Sequence, residues 1–102
     1  MIRWTTPTFT INLINAGDVD LTDAENVYFT VATKTATITK TGDDLDVEAQ
    51  SVAVYLSQEE SARLPEGVGE IQLNWTYADG RRAATVVKQI RIDKNLLREV
   101  VE

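Results

Sequence analysis

A chain of 102 residues has room for one domain around one core, and too little chain for that plus a deep substrate cleft unless a partner helps to build it. Its composition, 43% apolar and 25% charged, is that of a globular protein rather than a disordered one. There is no Cys and no His, which excludes disulfides, thiolate metal sites and the commonest general base, and the net charge of −6 argues against free nucleic acid, whose phosphates need a basic surface.

Thr8 to Leu13 alternates Phe9, Ile11 and Leu13 with Thr8, Thr10 and Asn12, the period of a strand with one buried face, and Pro7 marks its start. Asn15-Ala16-Gly17-Asp18 is a turn cluster. In Leu21 to Glu25, Thr22 stands three residues ahead of Glu25, the spacing of a capping box that opens one short helical turn. Asn26 to Lys34 is a second strand with Val27, Phe29 and Val31 inward, and Thr35 to Lys40, whose single large apolar anchor is Ile38, pairs with it. After a turn at Thr41-Gly42-Asp43-Asp44, Leu45 to Glu48 is a short extended piece and Ser51 to Leu56 a strand with Val52, Val54 and Leu56 on one face. Ser57 and Glu60 form a second capping-box pair, which predicts a connector helix through Arg63 that ends before Pro65 and Gly67.

Glu70 to Asp93 reads as one long hairpin closed at Asp79-Gly80. Before the turn Ile71, Leu73, Trp75 and Tyr77 share a face; after it Ala84, Val86, Ile90 and Ile92 do. Asp-Gly suits a type I′ turn, in which both central residues have φ > 0. From Lys94 to Glu102 the period changes, and Leu96, Leu97, Val100 and Val101 fall on one face of a short helix. Such a helix is marginal alone, so it must dock, either as a lid on its own domain or on another subunit. Its projection beyond the hairpin favours the second.

These elements predict a mainly-β single domain over residues 1–102. The expected architecture is an immunoglobulin-like β-sandwich of six to seven strands, with short connecting helices and a C-terminal helix at about 94–102. A small β-barrel is the alternative. Phe9, Ile11, Val27, Phe29, Val54, Leu56, Leu73, Trp75, Val86 and Ile90 make up the expected core. No stretch approaches the roughly 20 apolar residues of a membrane span, and Met1 leads into Ile2-Arg3-Trp4-Thr5-Thr6-Pro7 rather than a basic and then apolar signal peptide. The expectation is therefore a cytoplasmic setting with no membrane partner.

Asp18, Asp20 and Asp23, or Asp43, Asp44 and Asp46, could offer oxygen ligands to Ca²⁺. Neither run has the spacing of an EF-hand loop, and Asp is an ordinary turn and cap residue, so no metal is expected and no cofactor. Ser57 with Glu59 and Glu60 lacks a His or Lys to activate a nucleophile, and a carboxylate pair does acid–base work only in a cleft that raises one pKa. The expectation is a non-enzyme without catalytic residues. Trp75 and Tyr77 share the core face of their strand. That leaves Trp4, in a terminal arm, Tyr55, and the apolar stripe Leu96, Leu97, Val100 and Val101 as interface candidates.

Three stretches carry a resemblance. DLTDAENVYFTV (Asp20 to Val31), EIQLNWTYADGRRAAT (Glu70 to Thr85) and the closing DKNLLREVVE resemble small proteins encoded among the structural genes of phages and prophages of Gram-positive gut bacteria. The first third of the chain is also similar to the N-terminal domain of phage baseplate upper proteins, where an extended strand is followed by a -DLTGA- turn and a second strand. The resemblance implies a structural role in or near the tail or baseplate. Its partners would be the chain itself, as a homo-oligomer, and other phage structural proteins, first in the host bacterial cytoplasm and then in the virion. A recognition module that binds carbohydrate or a host protein through exposed aromatics is the alternative.

Overall fold

Alternation of apolar and polar side chains sorts the chain into two antiparallel sheets; the computed structural model describes residues 1–14 and 17–101. One sheet holds β1 (Thr8–Asn12), β5 (Ser51–Tyr55) and β4 (Asp46–Val47), in that order. The other runs β3 (Thr37–Thr41), β2 (Asn26–Ala32), β6 (Gly67–Thr76), with β7 (Arg82–Ala84) and β8 (Lys88–Ile92) dividing the far side of β6 between them. This is the expected β-sandwich, with eight strands among the described residues because two very short ones, β4 and β7, also pair. One placement departs from the immunoglobulin division, where the second strand lies between the first and the fifth. Here β2 stands between β3 and β6, so β1 pairs directly with β5, setting Phe9 opposite Val54 and Ile11 opposite Val52.

The inner faces meet in one core. Phe29, Val31, Val52, Leu56 and Leu73 are fully buried, and the rings of Phe9 and Phe29, one from each sheet, lie 5.5 Å apart. Loops contribute as well: Leu21, in the 3-10 turn Leu21–Asp23, is buried because that turn folds inward over the sandwich. Its cap is Asp20 rather than the expected Thr22, since Asp20 Oδ1 accepts from the Thr22 backbone N–H at 3.0 Å.

The second capping box forms as expected and opens α1 (Gln58–Arg63). Glu60 N–H donates to Ser57 Oγ at 3.1 Å, and Glu60 Oε1 accepts from Ser57 N–H at 2.9 Å. The helix closes one end of the sandwich: Ser61 is fully buried with its hydroxyl donating to Thr5 O, and Leu64, at the helix C-cap, is fully buried too. Lys40 Nζ, 2.7 Å from Glu60 Oε1, ties α1 to β3.

The hairpin departs from expectation at its turn and along its returning arm. Only Gly80 has positive φ, at 91°, so the turn is not type I′. Tyr77 N–H donates to Arg81 O and Gly80 N–H to Tyr77 O, closing a three-residue loop with glycine at its left-handed position. On the return, Asn74 pairs with Ala84 while Ile71 pairs with Lys88, so Gln72 and Leu73 face three residues, Thr85 to Val87. That extra residue is a β-bulge, and it reverses which side chains face inward. Ala83 is half-buried opposite Trp75, whereas past the bulge Ile90 and Ile92 face in. Val86, expected in the core, is therefore 87% exposed, and Ala84 is exposed with it.

The predicted C-terminal helix is absent from Lys94 to Val101, which is irregular. The predicted turn residues Asn15 and Ala16, and Glu102 of that helix, lie outside the described residues. Between Lys94 and Val101 the helix gives way to competition for backbone groups. Leu97 N–H donates to the Asn95 side chain at 3.0 Å, and both the N–H and the C=O of Val101 bond to Gln58. In a nine-residue helix those few bonds would carry most of its stability.

Candidate interaction surface

The bulge does more than reverse the strand's parity, because it opens one long side of the sandwich. β1 is the edge of the smaller sheet and β7–β8 the edge of the larger. Between them lies a groove of about 590 Å³, lined mainly by Ile11, Leu13, Ile14, Ile71, Trp75 and Val86. Val86 and Ile14 stand almost fully exposed at its margin. Trp75 forms part of its floor with the indole N–H satisfied by Tyr77 Oη at 3.0 Å, so this ring offers an apolar face. Lys88 is the charged residue on the groove wall.

A second apolar surface lies toward the other end of β6. Ile92 pairs with Gly67, the first residue of β6, and the chain leaves β8 there. Leu96, 87% exposed, and Leu97, Val100 and Val101, each about half exposed, follow in the closing segment. Gln58, the first residue of α1, holds that segment by both groups of its side-chain amide: Nε2 donates to Val101 O at 2.6 Å and Oε1 accepts from Val101 N–H at 2.7 Å. Sequence reasoning missed Gln58, since a Gln one position past an N-cap reads only as helix surface.

Of the remaining candidates, Tyr55 is exposed on β5, whereas Trp4 is half-buried with its indole nitrogen fully enclosed. The structure therefore does not join Trp4 and Tyr55 into one open aromatic platform. Trp75 and Tyr77 pack with the core as the alternation predicts, and Arg81 lies over the Tyr77 ring at 4.8 Å.

The electrostatic perturbations are local and lie beside these surfaces' residues rather than among them. Backbone donation from Arg81 holds the Asp79 carboxyl below its ordinary range, the Thr22 hydroxyl does the same for Asp20, and the hydrogen bond to Asp93 raises Arg91. Burial pushes Glu60 upward, but its bonds from Lys40 and Ser57 outweigh that and leave it lowered. Among the described residues no group of three or more His, Cys, Asp or Glu is placed to hold a metal ion, and no helix is long and apolar enough to cross a membrane. Comparison of the chain with known protein families, with curated proteins and with solved structures finds no match.

Proposed function

We propose that this chain is a non-enzymatic assembly protein that binds copies of itself and neighbouring subunits in the tail or baseplate region of a phage or prophage virion. The observation that carries the protein–protein part is the exposed apolar side chains in two places, Ile14 and Val86 beside the groove and Leu96 to Val101 in the closing segment. Contiguous apolar surface invites association. The two lie toward opposite ends of β6, an arrangement suited to contact between molecules. The phage setting is supported by the resemblance of Asp20 to Val31, Glu70 to Thr85 and the closing stretch to phage structural proteins; in that setting the chain is made in the host bacterial cytoplasm and carried into the virion. Recognition of a sugar through exposed aromatics has less support, because Trp4 is half-buried.

Light scattering over a range of concentrations tests the reading. The 102-residue chain is expected to exceed its monomer mass of 11.3 kDa, and a chain lacking Asn95 to Glu102 to associate more weakly. A 102-residue chain that stays monomeric to millimolar concentration overturns self-association. Mass spectrometry of purified particles tests the virion assignment, which fails if the chain is absent from them.

A further inference from the structure

The first three residues form an arm that extends the larger sheet. Ile2 lies beside Asp93 in a parallel bridge, Arg3 N–H donates to Asp93 O at 2.9 Å, and Asp93 N–H donates to Met1 O at 2.8 Å. A guanidinium N–H of Arg3 also donates to Ala62 O on α1. Only Trp4 to Pro7 connect this arm to β1, and that connection is strained. Trp4 has φ of 67°, a left-handed conformation that crowds a large side chain against its own backbone. The indole Nε1 of Trp4 and the Nε of Arg3 are both buried without an acceptor, although buried donors are nearly always paired. Pro7 fixes its own φ and favours extended backbone at Thr6, which stiffens the hinge.

We infer that the Met1–Arg3 arm is exchanged between two copies of this chain, each arm lying along β8 of the other. Every bond from the arm to Asp93 and Ala62 joins arm to body, so the same bonds re-form between copies. A hinge-local bond, from Thr5 Oγ1 to Ile2 O at 2.6 Å, is given up. Against it stand release of Trp4 from the left-handed region and access of its enclosed indole donor to an acceptor or water. Short strained hinges drive exchange of this kind, and two identical arms make a closed two-fold pair. The inference rests on the self-association proposed above and assigns it a specific surface.

The chain has no Cys, so Ile2→Cys with Asp93→Cys introduces a single possible disulfide. Neighbouring strands lie about 4.8 Å apart, within the roughly 4.4–6.8 Å that a disulfide spans between Cα atoms. The double variant is equilibrated at high concentration and sized by light scattering, and the same sample is oxidised and run on a non-reducing denaturing gel. Arm exchange gives a dimer by scattering and a covalent dimer on the gel. An oligomer by scattering whose chains run singly on the gel overturns arm exchange and leaves self-association standing on another surface. Single chains by both measures overturn both. Trp4→Gly adds an independent reading, because glycine takes up the left-handed hinge without penalty. The dimer dissociation constant is expected to rise at least about tenfold, and an unchanged constant removes hinge strain as the driving force and overturns the inference.

Discussion

Thr85 and Leu73 exchange two hydrogen bonds of different kinds. Thr85 N–H donates to Leu73 O at 2.9 Å, and Leu73 N–H donates back to the Thr85 side-chain oxygen at 3.1 Å. The bulge has carried the strand's own carbonyl away from Leu73, and the threonine hydroxyl takes its place; Gln72 Nε2 captures the displaced Thr85 carbonyl at 2.8 Å. Thr85→Val keeps the shape and removes the acceptor. Because Leu73 is fully buried, its N–H then has no partner, and the expected loss is roughly 1–3 kcal/mol. Thr85→Ser retains the oxygen and is expected to cost much less. Urea denaturation of the two variants decides the matter, and equal losses would show that the hydroxyl does not support the bulge.

Leu73→Ala probes the same strand from its inner side. Leu73 is fully enclosed on β6, flanked by β2, where Phe29 pairs with it. Removing three buried carbons leaves a cavity between the sheets, with an expected loss of about 2–5 kcal/mol. Val86→Ala removes a comparable side chain from a position 87% exposed and is expected to change stability by less than about 0.5 kcal/mol. The contrast is read from two denaturation curves, and a large loss at Val86 would contradict the bulge register.

How far the sequence alone reaches is clear from these two positions. Strict period-2 alternation before the turn identifies Ile71, Leu73 and Trp75 as inward-facing, and all three are buried. Beyond it, the even-numbered apolar residues Ala84, Val86, Ile90 and Ile92 suggest one continuous face, but a single inserted residue between Ala84 and Lys88 divides them. A bulge has no compulsory residue signature here, since its bond is supplied by a Thr that also suits any strand. The Ser57–Glu60 capping box was legible because both of its bonds are local in sequence. The Gln58–Val101 bonds span 43 residues, and no local pattern could foretell that they would replace a terminal helix. The groove was invisible for a related reason: it depends on which edges of two sheets meet.

Acid stability follows from Glu60. With its folded pKa lowered, the group contributes stability that is present above its unfolded pKa of about 4.3 and is lost as pH falls through the folded value. Glu60→Gln leaves Lys40 partly enclosed without its carboxylate, with an expected cost at pH 7 of roughly 1–2 kcal/mol, between the ranges for exposed and buried pairs. The gap between wild type and variant should narrow as pH falls below about 4. Thermal melts across pH 3 to 7 measure it, and a gap that stays constant would mean that the carboxylate charge contributes nothing.

Among the described residues the closing segment is hydrogen-bonded to the rest of the fold through one side chain, Gln58, and this makes it separable from the fold. Each Gln58–Val101 hydrogen bond contributes about 0.5–1.5 kcal/mol net, while Leu96, Leu97, Val100 and Val101 remain substantially exposed and add little burial. Gln58→Ala removes both bonds and puts a strong helix former at the first position of α1. The Ser57–Glu60 box and the buried Ser61 are untouched by the change. The variant is therefore expected to lose no more than about 1–3 kcal/mol, less the few tenths returned by the better helix former, while amide exchange at Val101 speeds up and trypsin cuts faster after Lys94 and Arg98. Unchanged exchange at Val101 would show that the two bonds do not hold the segment in solution. A large global loss would show instead that the segment belongs to the cooperative core, contrary to the exposure of its leucines and valines.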